Sequence, residues 1–297
     1  MTAPIVTTKA LTRDYGGGAG LHGVDLVVPR HGVYGLVGPN GAGKTTLLSI
    51  LAGLRRPGSG EVHLAVPSAR VASCPDTPAF EPFLTAAEVV GQSRGLVFGG
   101  RAGPGPDVLA EVGLAAAAGR RVGGFSRGMT QRLGLAVALT LEPELLILDE
   151  PTSALDPAGR AELLTLIARL ARDRTVIFSS HILADVQRVA TEIGVLDHGR
   201  LLFQGPTRLL LDTYLKPAWQ VRVRGDAGDL AGRLRAADWV TAVVRDDDAL
   251  LVEAVSSEAG ESGLPGLIAG AGARLVSLNP VDADLETAFL ALTGNHG

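Results

Sequence analysis

The sequence predicts an α/β fold built round a phosphate-binding loop, with a small α+β unit after it. Three observations point there. Gly38-Pro-Asn-Gly-Ala-Gly-Lys-Thr-Thr46 fits the pattern G-x-x-x-x-G-K-[ST] at Gly38, Gly43, Lys44 and Thr45. Leu145-Leu-Ile-Leu148 and Thr175-Val-Ile-Phe178 are unbroken apolar runs, as suits central parallel strands covered on two faces. From residue 217 onward the rhythm changes to short segments in the order β-α-β-β-α-β, a pattern that suits a ferredoxin-like module.

Taken in order, Ile5–Leu11 and Leu21–Val28 alternate apolar and polar and predict antiparallel strands, with Gly16-Gly-Gly18 as the turn. Gly32–Val37 reads as a buried strand entering the glycine-rich loop, and Thr46–Ala52 as the helix leaving it. Short strands follow between Glu61 and Cys74, broken at Pro67. Pro75 to Glu142 is rich in Ala, Gly and Leu at helical spacing, interrupted by a loop at Gly99 to Pro106; Leu133–Leu141 is a helical run within it. Ala158–Arg172 supplies the crossover helix between the two apolar strands. Leu209–Leu215 is expected to be the last helix of the first domain (1–215). In the second domain (217–297) strands are expected at Trp219–Val223, Val240–Arg245, Leu250–Val255 and Arg274–Leu278. Helices are expected at Asp229–Ala236, Leu264–Ala271 and Leu285–Leu292, with Ser256 to Gly263 as a loop.

Composition narrows the functional classes. With 297 residues, 46% apolar and 20% charged, the chain has ample material for a folded core. A net charge of −4 gives no basic footprint for nucleic acid. The single cysteine, Cys74, excludes an internal disulfide. No apolar run approaches the roughly 20 residues that span a bilayer, and the first residues lack the features of a signal peptide. The expectation is a soluble cytoplasmic protein whose membrane role, if any, needs another chain.

The phosphate-loop residues Gly38, Pro39, Asn40, Gly41, Ala42, Gly43, Lys44, Thr45 and Thr46 imply a nucleoside triphosphate site. Glycines let successive backbone N–H groups face inward, the helix start adds positive potential, Lys44 reaches the terminal phosphates, and the Thr45 hydroxyl sits on Mg²⁺. Leu145–Glu150 is an apolar strand ending in two carboxylates. Asp149 is placed to hold Mg²⁺ opposite the loop, and Glu150 to orient or deprotonate a water; alone, two acids there would be a solvated strand end. Ser126 and Gly128, in Phe125-Ser-Arg-Gly-Met-Thr-Gln-Arg132, read as a helix N-cap and equally as an anion site.

Together, Gly38–Thr46, Phe125–Met129, Leu145–Glu150, Ser153-Ala-Leu-Asp156 and His181 resemble the ATP-binding cassette (ABC) ATPases in order and spacing, over about residues 1 to 215. The resemblance implies a P-loop cassette with a mixed central sheet, an antiparallel β subdomain and a helical subdomain at about 77–142. It implies ATP as substrate with Mg²⁺. By position, Tyr15 matches the aromatic that stacks on adenine, and Ser126 and Gly128 match the signature loop facing a second subunit's γ-phosphate. Asp156 matches the loop that links two subunits, and His181 the histidine that contacts the γ-phosphate. On its own, each of Tyr15 and His181 reads as an ordinary surface or packing residue.

Two departures stand out. Arg127 and Met129 replace Gly and Gln of the usual signature, a variant that resembles ATPases of ABC-2-type exporters, including the multidrug and daunorubicin-resistance class. Asp76 stands where the family has a Gln that touches Mg²⁺, and is expected to take over that metal-side role. The resemblance implies a head-to-tail dimer on a separate polytopic permease subunit at the inner face of the membrane, with no nucleic acid. The rivals are a nucleotide-switched regulatory module with weak hydrolysis and an ABC ATPase that works on nucleic acid.

Overall fold

The computed structural model describes residues 3–98, 107–153, 155–214, 216–224, 227–246, 249–281 and 285–294. The loop expected at Gly99 to Pro106, the tip of the hairpin at Asp247 and Asp248, Ala154 and Leu215 lie outside them. Chain contacts divide the molecule into Met1–Thr207 and Arg208–Gly297.

The first unit opens with β1 (Val6–Asp14), β2 (Gly20–Val24) and β3 (Val27–Val28), then β4 (Gly32–Val37), α1 (Lys44–Leu51), β5 (Ser59–Leu64) and β6 (Val71–Cys74). Helices α2 (Ala86–Phe98), α3 (Val108–Glu111) and α4 (Arg127–Leu139) follow. It continues with β7 (Leu145–Leu148), α5 (Pro157–Leu170), β8 (Thr175–Ser180), α6 (Leu183–Val189), β9 (Glu192–Asp197) and β10 (Arg200–Pro206). Strands β1, β2, β3 and β5 form an antiparallel sheet.

The larger sheet has the order β10-β9-β4-β8-β7-β6, parallel except for the β9–β10 hairpin. Every residue of β7 and β8 is buried, which is why these strands read as unbroken apolar runs. Leu47, Leu48, Ile50 and Leu51 of α1 share one core with Leu36 and Ile147 of this sheet and with Val6, Leu11 and Leu21 of the antiparallel one. Among the described residues no helix is long and apolar enough to cross a membrane.

The second unit carries α7 (Thr207–Tyr214), which begins at the boundary, then β11 (Ala218–Arg224), α8 (Ala227–Arg235), β12 (Val240–Asp246) and β13 (Ala249–Ala254). It ends with α9 (Ser257–Gly270), β14 (Arg274–Pro280) and α10 (Leu285–Gly294). Its sheet order is β12-β13-β11-β14, antiparallel throughout. Trp219, Val221, Leu230, Leu234, Val252 and Leu264 are among its core residues.

Here one expectation is corrected. Ser256 to Gly263 is not a loop: Ser256 accepts from the Ala259 N–H and caps a helix that runs from Ser257. The glycines that suggested a loop permit close packing instead. A Cβ on Gly260 would lie 2.1 Å from the Trp219 ring, and one on Gly263 would lie 2.3 Å from the Trp239 ring. Gly260→Ala is therefore expected to destabilise this unit by about 1–3 kcal/mol through overpacking. The chain's two tryptophans both lie here, so urea unfolding followed by their fluorescence reads the effect directly. An unchanged midpoint would show that Trp219 yields without cost.

Candidate functional site

In the parallel sheet, β4, β8, β7 and β6 lie side by side in register, with Val37 opposite Ser180 and Cys74 opposite Leu148. Their carboxyl ends therefore deliver four segments to one edge: the glycine-rich loop, Asp149–Glu150, His181 and Asp76. Open α/β sheets bind ligands outside the carboxyl ends of their strands.

The loop after β4 is shaped as a cradle. A Cβ on Gly38 would lie 2.1 Å from the Leu196 carbonyl oxygen, so no larger residue fits. Gly43 caps α1 in a left-handed conformation (φ +103°) that strongly favours glycine. Lys44 opens the helix and is buried; its Nζ donates to the Gly38 carbonyl at 2.7 Å and the Pro39 carbonyl at 3.2 Å. The same ammonium lies 3.2 Å from Glu150 Oε1. Tyr15, Pro39–Thr46 and Glu150 line a cleft of about 250 Å³.

At the end of β7, one hydroxyl orders both acids. Ser179 Oγ donates to Asp149 Oδ1 at 2.7 Å and accepts from the Glu150 N–H at 2.9 Å. Glu150 sits at φ +46°, a conformation unusual for a side-chain-bearing residue and a form of strain that concentrates at functional sites. Its second carboxylate oxygen lies 2.7 Å from His181 Nδ1 and accepts from the His181 N–H at 3.3 Å. Glu150 thus bridges the lysine of the loop and the histidine after β8. Asp149, Thr45 and Cys74 line one cavity. Burial pushes the Cys74 thiol up to about 12, so at neutral pH it is an inert apolar filler.

Tyr15 is half exposed at the rim of the first cleft, with the guanidiniums of Arg13 and Arg55 5.3 and 5.9 Å from its ring centroid. Arg55 donates to its hydroxyl at 2.8 Å. Desolvation is the largest single influence and raises the phenol, yet the hydrogen bonds of Arg13, Arg55 and Thr46 together hold it below its ordinary value.

Ser126, Gly128 and Asp156 are brought together in a different cleft of about 310 Å³. Ser126 caps α4, its Oγ accepting from the Met129 N–H at 3.2 Å, so the signature-like residues form the first helical turn. Asp156 caps α5 by accepting from the Gly159 N–H at 3.2 Å. Asp76 lines a third cleft with Arg127 and Ser153. Its Oδ1 accepts from Ser153 Oγ at 2.6 Å.

Sequence reasoning missed Ser179 and Asp185. The first had a signal: Ser179-Ser180 closes an otherwise apolar strand immediately before His181. Asp185 is buried, accepts from Thr152 Oγ1 at 2.6 Å and lies 3.8 Å from Arg160 Nε. Nothing local in the sequence marks that contact.

A cradle of backbone N–H groups at a helix start, a buried lysine and two strand-end carboxylates define a P-loop nucleoside triphosphatase. Residues 21–153 match the ABC transporter family. The bacitracin transport ATP-binding protein BcrA of Bacillus licheniformis is 38% identical over 213 residues, 68% of this chain and 70% of that one. The daunorubicin/doxorubicin resistance ATP-binding protein DrrA of Streptomyces peucetius is 30% identical over 308 residues, 98% of this chain and 92% of its own. The solved structure of CbiO1 from Clostridium perfringens, part of the CbiONQ ABC transporter complex, shares the fold. It superposes with a TM-score of 0.63 at 24% identity, over 71% of this chain and 92% of that one. The chain belongs to the ATP-binding proteins of bacterial ABC transporters, which hydrolyse ATP to drive transport.

Proposed function

We propose that this chain powers an ABC-2-type exporter as a head-to-tail dimer, closing on two ATP molecules and reopening after hydrolysis. One observation carries the reading: the phosphate cradle with Lys44 and Glu150 lines one cleft, while Ser126, Gly128 and Asp156 line another. A triphosphate on Lys44 of one copy is then completed by Ser126 and Gly128 of a second copy, with Asp156 linking the two. The exporter assignment draws on the Arg127 and Met129 signature variant and on the likeness to DrrA, a resistance protein, and BcrA, a bacitracin transport protein.

Within each site, Tyr15 stacks on adenine, and the loop N–H groups with Lys44 hold the phosphates. Among the described residues no cluster of three or more His, Cys, Asp or Glu could hold a metal. Thr45 and Asp149 suit Mg²⁺, which is commonly bound through few protein groups together with substrate phosphates. The ion would neutralise phosphate charge. Glu150 accepts the proton of the attacking water, and His181, fixed through Nδ1, stays close to the transferring phosphate.

Residues 1–215 form the nucleotide-binding domain in this reading. The segment 217–297 is a ferredoxin-like module, a reading supported by its βαββαβ order and antiparallel sheet, and it steadies the dimer or regulates it. The helical region at about 77–142 docks on a separate polytopic permease subunit and places the chain at the inner face of the membrane.

Affinity capture of the chain from detergent-solubilised native membranes tests the assignment. The expected result is stoichiometric recovery of a polytopic membrane protein. Recovery with nucleic acid, or from the soluble fraction alone, would overturn it.

A further inference from the structure

The loop between Glu150 and Asp156 is held from two sides by carboxylates of other segments. Thr152 Oγ1 donates to Asp185 Oδ2 at 2.6 Å, and Asp185 belongs to the first turn of α6, just after His181. The next residue, Ser153, donates to Asp76 Oδ1 at 2.6 Å, and Asp76 lies just beyond the end of β6. Thr77 Oγ1 lies 3.5 Å from the other oxygen of Asp76. Hydroxyl-to-carboxylate bonds this short are the strong, charge-assisted kind. The Thr152 bond is buried and the Ser153 bond is exposed, so the first is a fixed anchor and the second can be made and broken at little cost.

We propose that Asp76 is a positioning residue that acts through Ser153, setting Pro151–Ser153 and with it the neighbouring Glu150. The proposal deepens the hydrolysis reading above and rests on it. It assigns the carboxylate at this position to the loop rather than to Mg²⁺. It also joins the segment after β6 to Ser153, three residues past Glu150, so a movement of either is felt by the other.

On the Asp76 side the loop is held through one accepted hydrogen bond, and a neutral amide oxygen can still accept it. Turnover of the full-length chain should therefore fall roughly tenfold in Asp76→Ala and in Ser153→Ala. It should fall no further in the double variant and recover in Asp76→Asn. The KM for ATP and the Mg²⁺ concentration giving half-maximal rate should stay within twofold of the parent in all four. Hydrogen exchange at the Thr152 and Ser153 amides should quicken in both alanine variants, a readout independent of activity. Asp76 is exposed and Ser153 is only half-buried, so the fold is not at stake.

The proposal fails if Ser153→Ala turns over like the parent, or if the two single effects multiply. It fails equally if Asp76→Asn is as impaired as Asp76→Ala with a raised Mg²⁺ requirement, which would mark a metal ligand. Glu150→Gln measured alongside separates the two claims: undiminished turnover there defeats the hydrolysis reading, whatever the Ser153 result.

Discussion

Lys44→Ala is expected to lower the affinity for Mg-ATP at least about 100-fold and to take hydrolysis below detection. The ammonium is buried, 6% exposed, and pinned by two loop carbonyls, so it is already placed where phosphate charge must be met. A hydrogen bond from a charged donor contributes about 1.5–3 kcal/mol, and roughly 1.4 kcal/mol is a factor of ten, so losing two such bonds to phosphate oxygens suffices for the effect. A second consequence follows from the 3.2 Å contact with Glu150. Without Lys44 that carboxylate, 15% exposed, keeps His181 as its neighbour and adds an uncompensated negative charge beside the triphosphate. Lys44→Arg is not a rescue, because a planar guanidinium cannot reproduce a compact ammonium between two carbonyls. Titration with a fluorescent ATP analogue checks this. A Kd within threefold of the parent would mean that the glycine-rich loop does not hold the nucleotide.

How much of this was legible in the sequence depends on the range of the interaction. The glycine-rich loop, the strands on either side of β7 and the carboxylate pair are local patterns, and all fall where the residues placed them. Strands β9 and β10 went unread, although Ile193–Leu196 is an apolar run and Asp197-His-Gly199 a turn, with His198 at φ +42° and Gly199 at φ +72°. There the signal existed. The first half of the helix Ser257–Gly270 was hidden because a glycine that admits a tryptophan ring looks, in one dimension, like a glycine that breaks a helix. The polar contacts between Ser179 and Asp149, Thr152 and Asp185, and Ser153 and Asp76 span 30 to 77 residues and depend on which strands are neighbours. Periodicity carries no information about them. At Asp76 the sequence suggests a carboxylate near Mg²⁺, while its contact with Ser153 depends on the strand order.

Glu150→Gln should cut hydrolysis by roughly 10²–10⁴-fold, the range of a general base, while ATP binding is kept or strengthened. The substitution preserves size and one acceptor oxygen, so His181 and Ser179 keep their places, but the amide cannot take a proton from water. It also removes a negative charge from beside Lys44, which frees the ammonium for phosphate and lessens repulsion of the triphosphate. If ATP joins two copies and cleavage parts them, a protein that binds without cleaving accumulates as the closed pair. Size-exclusion chromatography with light scattering should then show a doubled mass with ATP and Mg²⁺, and the single-chain mass without nucleotide. Rate and mass test different steps. A variant that hydrolyses at the parent rate removes Glu150 as the base, whereas one that is inactive yet monomeric with ATP keeps the base and discards the clamped pair.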